Sequence, residues 1–129
     1  MSKTTFNILL VDDSREDRTL TEHFLSNTDL SYDLTTCETV QDTYDTLKST
    51  HFDCVILDHT LPDGNGVDII RYIKKNTAKP IGIVVVTGTG SEDIAVRTMH
   101  SGAHDYVVKS AISSIRLETV IRQSIEKAQ

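Results

Sequence analysis

The sequence predicts an α/β fold, a single doubly wound domain whose five-stranded parallel sheet carries helices on both faces. Three observations lead there. The runs Cys54-Val55-Ile56-Leu57 and Ile81-Gly82-Ile83-Val84-Val85-Val86 are continuously apolar, as strands buried on both faces must be. Strand-like stretches recur at intervals of about 25 residues, with amphipathic stretches between them. Several of the strand-like stretches end in Asp, Thr or Lys, at what would be the carboxyl edge of the sheet, where open α/β sheets place their ligands.

Each element has a local reason. Asn7-Ile8-Leu9-Leu10-Val11 is a short buried-type strand ended by Asp12-Asp13. Ser14 with Asp17 three residues on has the spacing of a capping box. The helix it opens turns Leu20, Phe24 and Leu25 inward and stops near Ser26-Asn27. Tyr32 to Cys37 reads as the second strand, helped by β-branched Thr35 and Thr36. Val40, Tyr44 and Leu47 follow at helical spacing. The apolar run into Asp58 is the third strand, and His59 to Gly66, rich in Pro, Gly, Asn and Asp, is its loop. Val67, Ile69, Ile70 and Ile73 mark the third helix. Pro80 ends the connection to the strand Ile81–Thr87.

Gly88-Thr89-Gly90 reads as a loop, and Ser91 as the cap of a fourth helix with Glu92 and Asp93 in its first turn. Gly102 suits the residue after that helix, Asp105–Val108 is the last strand, and Lys109 ends it. A fifth helix buries Leu117, Val120, Ile121 and Ile125 and leaves Ile115 exposed in its first turn. Right-handed crossovers restrict the strand order severely, and the flavodoxin-like 2-1-3-4-5 is the common five-stranded solution.

Composition excludes several classes. The 129 residues carry a net charge of −6, and no basic run exceeds Lys74-Lys75, which argues against direct nucleic-acid binding. No apolar stretch approaches the roughly 20 residues of a membrane span, and no secretory leader is visible, so the expected location is cytoplasmic. Cys37 and Cys54 fall on strands separated by a third, about 9–10 Å apart, too far for a disulfide.

In the 2-1-3-4-5 order the residues that end the strands, Asp12, Asp13, Asp58, Thr87 and Lys109, converge on one patch. Three carboxylates this close repel one another, and a divalent cation relieves that; hard oxygen ligands suit Mg²⁺. A carboxylate can act as nucleophile toward phosphorus, with metal, ammonium and hydroxyl groups neutralising the phosphoryl oxygens. In that scheme Asp58 is the phosphoacceptor, Asp12 or Asp13 holds the metal, Lys109 is the cation and Thr87 the hydroxyl donor. Taken singly, each residue has a plainer reading: a helix cap, a turn acid, a strand-end threonine, a solvated lysine. His59 reads as a solvated loop residue, and His100 and His104 lack a third ligand.

With these residues in this order, the chain resembles a response-regulator receiver domain of two-component signalling over essentially its whole length. The resemblance is carried by Asp12-Asp13, Asp58, Pro62 and Gly66, Thr87-Gly88, Gly102-Ala103, Asp105-Tyr106 and Lys109. It implies that a sensor histidine kinase or histidine phosphotransfer protein phosphorylates Asp58, with Mg²⁺ held by Asp12, Asp13 and Asp58 itself. It also implies that Thr87 and Tyr106 move together and signal to a partner through the face of helix 4, strand 5 and helix 5, and that Thr60 and Thr89 influence the phosphoryl lifetime. On this reading residues 1–129 are one receiver domain without an output domain, not an enzyme beyond its own phosphoryl acceptance and loss.

One departure is local. Receivers usually follow the lysine with a cis proline, whereas Ser110 stands here, and a cis bond to a non-proline costs ~2.5–4 kcal/mol. The Lys109–Ser110 bond is therefore expected to be trans, or cis only under strain. Two alternatives remain: an aspartate-nucleophile phosphatase, which would need an acid where Thr60 stands, and a receiver-like interaction module that is never phosphorylated. A flavodoxin-type FMN binder conflicts with the acidic pair, which would repel the cofactor's phosphate.

Overall fold

The computed structural model describes residues 4–88 and 92–129. Thr89, Gly90 and Ser91, where a loop and a helix cap are expected, lie outside the described residues. Five strands form one sheet: β1 (Thr5–Val11), β2 (Ser31–Cys37), β3 (Cys54–Asp58), β4 (Gly82–Thr87) and β5 (Asp105–Val108). Their order is β2-β1-β3-β4-β5 and every pairing is parallel, as expected from the sequence. The helices are α1 (Arg15–Ser26), α2 (Val40–Ser49), α3 (Gly66–Asn76), α4 (Glu92–His100) and α5 (Ser114–Ala128).

Side-chain alternation along the strands divides the core into two layers. Leu9, Val11, Val55, Leu57, Ile83 and Val85 face one way and pack with Leu47 of α2 and Ile69, Ile70 and Ile73 of α3. Ile8, Leu10, Cys54, Ile56, Val84 and Val86 face the other way, against Leu25 of α1 and Leu117, Val120 and Ile121 of α5. This double burial is why the central strands read as unbroken apolar runs. Cys37 and Cys54 are free and belong to opposite layers, and burial pushes the Cys54 thiol up to about 12. No described helix is long and apolar enough to cross a membrane.

Four local expectations change. Leu20 is 49% exposed rather than inward, because Phe24 and Leu25 already fill the contact of α1 with the sheet layer. The capping box at α1 is half made: Ser14 Oγ accepts from the Asp17 amide, but the Asp17 carboxylate goes elsewhere. Asp63 is more than a residue of the loop His59 to Gly66. Its carboxylate accepts from Val40 N at 2.7 Å and Gln41 N at 3.1 Å, capping α2 from the loop after β3, and these hydrogen bonds lower its pKa. His59 is half-buried rather than solvated; its Nδ1 lies 3.4 Å from Thr60 Oγ1, and its Nε2 is buried with no partner among the described residues. Ile115 is exposed, at 83%, as expected.

His104 extends the hydrogen bonding between β4 and the approach to β5. Its Nδ1 accepts from Ile83 N at 3.0 Å while its own amide donates to Ile83 O at 2.8 Å. Burial, with the positive charges of Lys74 and Lys127, lowers its pKa below the usual 6.5. The unfolded chain then binds this proton first as pH falls. Stability is fully present above about 6.5 and declines as pH drops from there toward the lower folded value. Thermal unfolding between pH 8 and pH 5 is expected to show this decline in wild type and a shallower one in His104→Gln.

Candidate functional site

The carboxyl ends of β1 and β3 are adjacent, with Val11 opposite Leu57, so Asp12 and Asp58 leave neighbouring strands side by side. The two are 4% and 9% exposed, whereas Asp13 faces solvent. One oxygen from each of Asp12, Asp13 and Asp58 lies within 4.8 Å of the others. Among the described residues they are the one cluster of acid, His or Cys side chains tight enough to hold a metal ion, and His100 and His104 form no such group. The donor set is all carboxylate oxygen, which fits a hard divalent cation such as Mg²⁺.

The local backbone fixes these carboxylates. Asp12 Oδ1 accepts from Ser14 N at 2.9 Å, and its carbonyl takes Arg18 Nη1 at 2.8 Å. Arg18 also pairs with Glu38 at 3.1 Å. Asp58 Oδ1 accepts from Thr60 N at 3.3 Å. Beyond it Thr60–Leu61 pairs antiparallel with Gly64–Asn65, and Asn65 and Asp68 close a capping box that starts α3. Gly66 is required at that start. A Cβ there would lie 2.6 Å from Leu57 Cδ1 and 3.1 Å from the Asp58 carbonyl, so any side chain would push on the strand end that carries Asp58.

Lys109 comes from the far end of β5, at the start of a 3₁₀ turn spanning Lys109–Ala111. The Lys109–Ser110 peptide is trans, since no described residue has a cis bond. Its Nζ lies 3.1 Å from Asp58 Oδ2 and 3.4 Å from Asp12 Oδ2. Burial alone would lower the lysine's pKa. The hydrogen bonds to Asp17 and Asp58 and the charges of Asp58 and Asp12 outweigh that and hold the ammonium protonated above the ordinary lysine range. Asp12 moves up from the usual carboxylate value: burial raises it and Asp58 adds repulsion, against lowering by the Ser14 amide and Lys109.

Thr87 ends β4 one residue beyond Val86, the partner of Asp58, and is 3% exposed. Tyr106 sits opposite Val85 in the edge strand and is half-buried. All five predicted strand-end residues thus stand at one edge of the sheet. Sequence reasoning missed Asp17, whose Oδ2 is 2.5 Å from Lys109 Nζ. Its signal is an acid in the first turn of the helix leaving Asp12-Asp13, which a cap explains equally well. Thr60 offers no second acid beside Asp58, so the acid/base of an aspartate-nucleophile phosphatase is missing at that position.

Comparisons with known proteins agree with this geometry. The family model described as the response regulator receiver domain matches residues 8–122. The regulatory protein LuxO of Vibrio cholerae serotype O1 is 31% identical over 119 residues, 92% of this chain but 25% of LuxO. In eight of the curated relatives the match spans between 16% and 41% of their length. The solved signal receiver domain of a LuxO repressor protein from Vibrio parahaemolyticus is 30% identical with a TM-score of 0.85, covering 97% of this chain and 93% of that one. The beryllofluoride-activated NtrC4 receiver domain dimer is 29% identical with a TM-score of 0.81, covering 95% of this chain and 98% of that one.

Proposed function

The chain belongs to the response-regulator receiver domain family, and from that premise we propose that it is a phosphorylation-switched signalling domain whose phosphoacceptor is Asp58. The observation that carries the reading is Asp58 itself: a nearly buried carboxylate at the end of a central strand, beside two more acids and one lysine. The donor is a phosphohistidine of a sensor histidine kinase or phosphotransfer protein. A carboxylate oxygen of Asp58 attacks phosphorus, forming an O–P bond while the P–N bond breaks and its electron pair returns to the imidazole. Asp12, Asp13 and Asp58 would hold Mg²⁺, which when bound supplies charge neutralisation for the phosphoryl oxygens.

Lys109 brings its ammonium to the same oxygens, and Thr87 stands where a hydroxyl can follow them. Thr87 and Tyr106 pass the change to the face made by α4, β5 and α5, where a protein partner docks. Exposed Val96 and Met99 of α4 and Ile115 of α5 are consistent with docking on that side. Arg116 of α5 lies 3.7 Å from Asp105, linking α5 to the edge strand. The domain catalyses only its own phosphoryl acceptance and loss, acts in the cytoplasm and makes no direct contact with nucleic acid.

The test is incubation with acetyl phosphate and Mg²⁺ followed by intact-mass measurement. Wild type is expected to gain one phosphoryl group, acid-stable and base-labile as an acyl phosphate, and to gain none when EDTA replaces Mg²⁺. No gain under either condition, with beryllofluoride also failing to bind, would sink the proposal.

A further inference from the structure

Asp17 is the one carboxylate around Lys109 that the phosphoryl-transfer reading leaves without a task. It stands in the first turn of α1 with its side chain 40% exposed and its Oδ2 2.5 Å from Lys109 Nζ. From the buried side Asp58 Oδ2 at 3.1 Å and Asp12 Oδ2 at 3.4 Å take the same ammonium. Two of the ammonium's three hydrogens go to Asp17 and Asp58 and Asp12 adds an ion pair, so a further anion competes with these carboxylates for the one cation. Asp12 is held by the Ser14 amide and sits 6% exposed at its side chain. Asp58 is the group that receives the phosphoryl. Only Asp17 can turn outward into water at little cost.

Resting on the reading of Asp58 as phosphoacceptor, we propose that Asp17 is a positioning residue that occupies Lys109 in the unphosphorylated site and competes with the phosphoryl anion for it. Asp17 thereby sets how tightly the site holds a phosphoryl group. Asparagine at this position keeps an oxygen acceptor, and two carboxylates still hold Lys109, so what Asp17→Asn removes is charge. A lost negative charge beside a mixed site acts with opposite sign on its two ligands: the anion binds more tightly and the cation less. A variant that merely loosened the structure would weaken both.

The measurement is amide-signal titration by NMR of the full chain with Mg²⁺ alone, and with beryllofluoride at saturating Mg²⁺, in wild type, Asp17→Asn, Glu16→Gln and Asp58→Asn. At low ionic strength Asp17→Asn is expected to bind beryllofluoride roughly three- to tenfold more tightly and Mg²⁺ alone roughly two- to fivefold more weakly. Both differences shrink toward about 1 M salt, where screening acts within about 3 Å. Glu16→Gln, which removes a charge from an exposed position in the same turn, changes each affinity by less than about twofold. The inference is overturned if Asp17→Asn matches wild type, weakens both ligands, or is matched by Glu16→Gln. If wild type takes up no beryllofluoride and behaves as Asp58→Asn does, the phosphoacceptor reading falls and the role of Asp17 falls with it.

Discussion

Asp58→Asn is expected to abolish phosphoryl acceptance while leaving the fold intact. An amide oxygen is a poor nucleophile, so the new bond cannot form, and the metal site is weakened to two carboxylates and one neutral oxygen. The change is nearly isosteric, and the asparagine oxygen can still accept from the Thr60 amide that now meets Asp58 Oδ1. Removing this charge also removes repulsion felt by Asp12, whose pKa Asp58 helps to raise. Without Mg²⁺ the variant should therefore melt at the wild-type temperature or above it. Intact mass after acetyl phosphate treatment and a thermal melt check the two halves separately. A phosphoryl gain at the wild-type rate in Asp58→Asn would place the acceptor on another residue.

Lys109→Met is expected to have the largest effect on stability. It keeps much of the side-chain volume but leaves Asp12, Asp17 and Asp58 converging on a position with no cation. Stripping one partner from a buried charge group costs ~3–5 kcal/mol, and an exposed pair is worth ~0–1 kcal/mol. Lys109 is 24% exposed and Asp17 40%, so the loss should fall between, about 1–3 kcal/mol at pH 7 in EDTA. Two conditions should restore it. Millimolar Mg²⁺ substitutes another positive charge, and acidification toward pH 4 neutralises Asp12, whose folded pKa is already raised. Phosphoryl acceptance should fall roughly a hundredfold, the scale of losing one preorganised electrostatic contact. Denaturant melts with and without Mg²⁺ read the first effect, and labelling rates read the second. A destabilisation that neither Mg²⁺ nor acid relieves would point to lost packing rather than lost charge.

Most of the site was legible because strand ends are local features. An apolar run that stops at a carboxylate says where a strand meets the sheet edge, and the alternation of elements then dictates which ends are neighbours. Asp12, Asp58, Thr87 and Lys109 could be grouped on that ground alone. Sequence and structure part where a side chain has two possible partners and the nearer in sequence is not the one it meets. Asp17 has the spacing of its own helix cap, yet its carboxylate lies on Lys109, 92 positions away. Asp63 reads as one residue of the loop His59 to Gly66, yet it caps α2, 23 positions earlier. Helical spacing puts Leu20 toward the core, but spacing says which residues share a face and not how wide a stripe the sheet can cover.

The chain's linear pattern was therefore enough for the five strands, their order, the two-layered core and the convergence of acids and lysine at one edge. These follow from periodicity, chirality and the length of crossover connections, which leave few alternatives. Three further matters needed the packed chain: Asp17 reaching Lys109, Asp63 bracing the loop after Asp58 against α2, and the approach of α3 to the strand end that Gly66 permits. Each is a contact between groups whose distance is set by how helices settle on the sheet. Shifts of an ångström there decide whether a carboxylate meets an ammonium, an amide or water, and no residue pattern carries information at that scale.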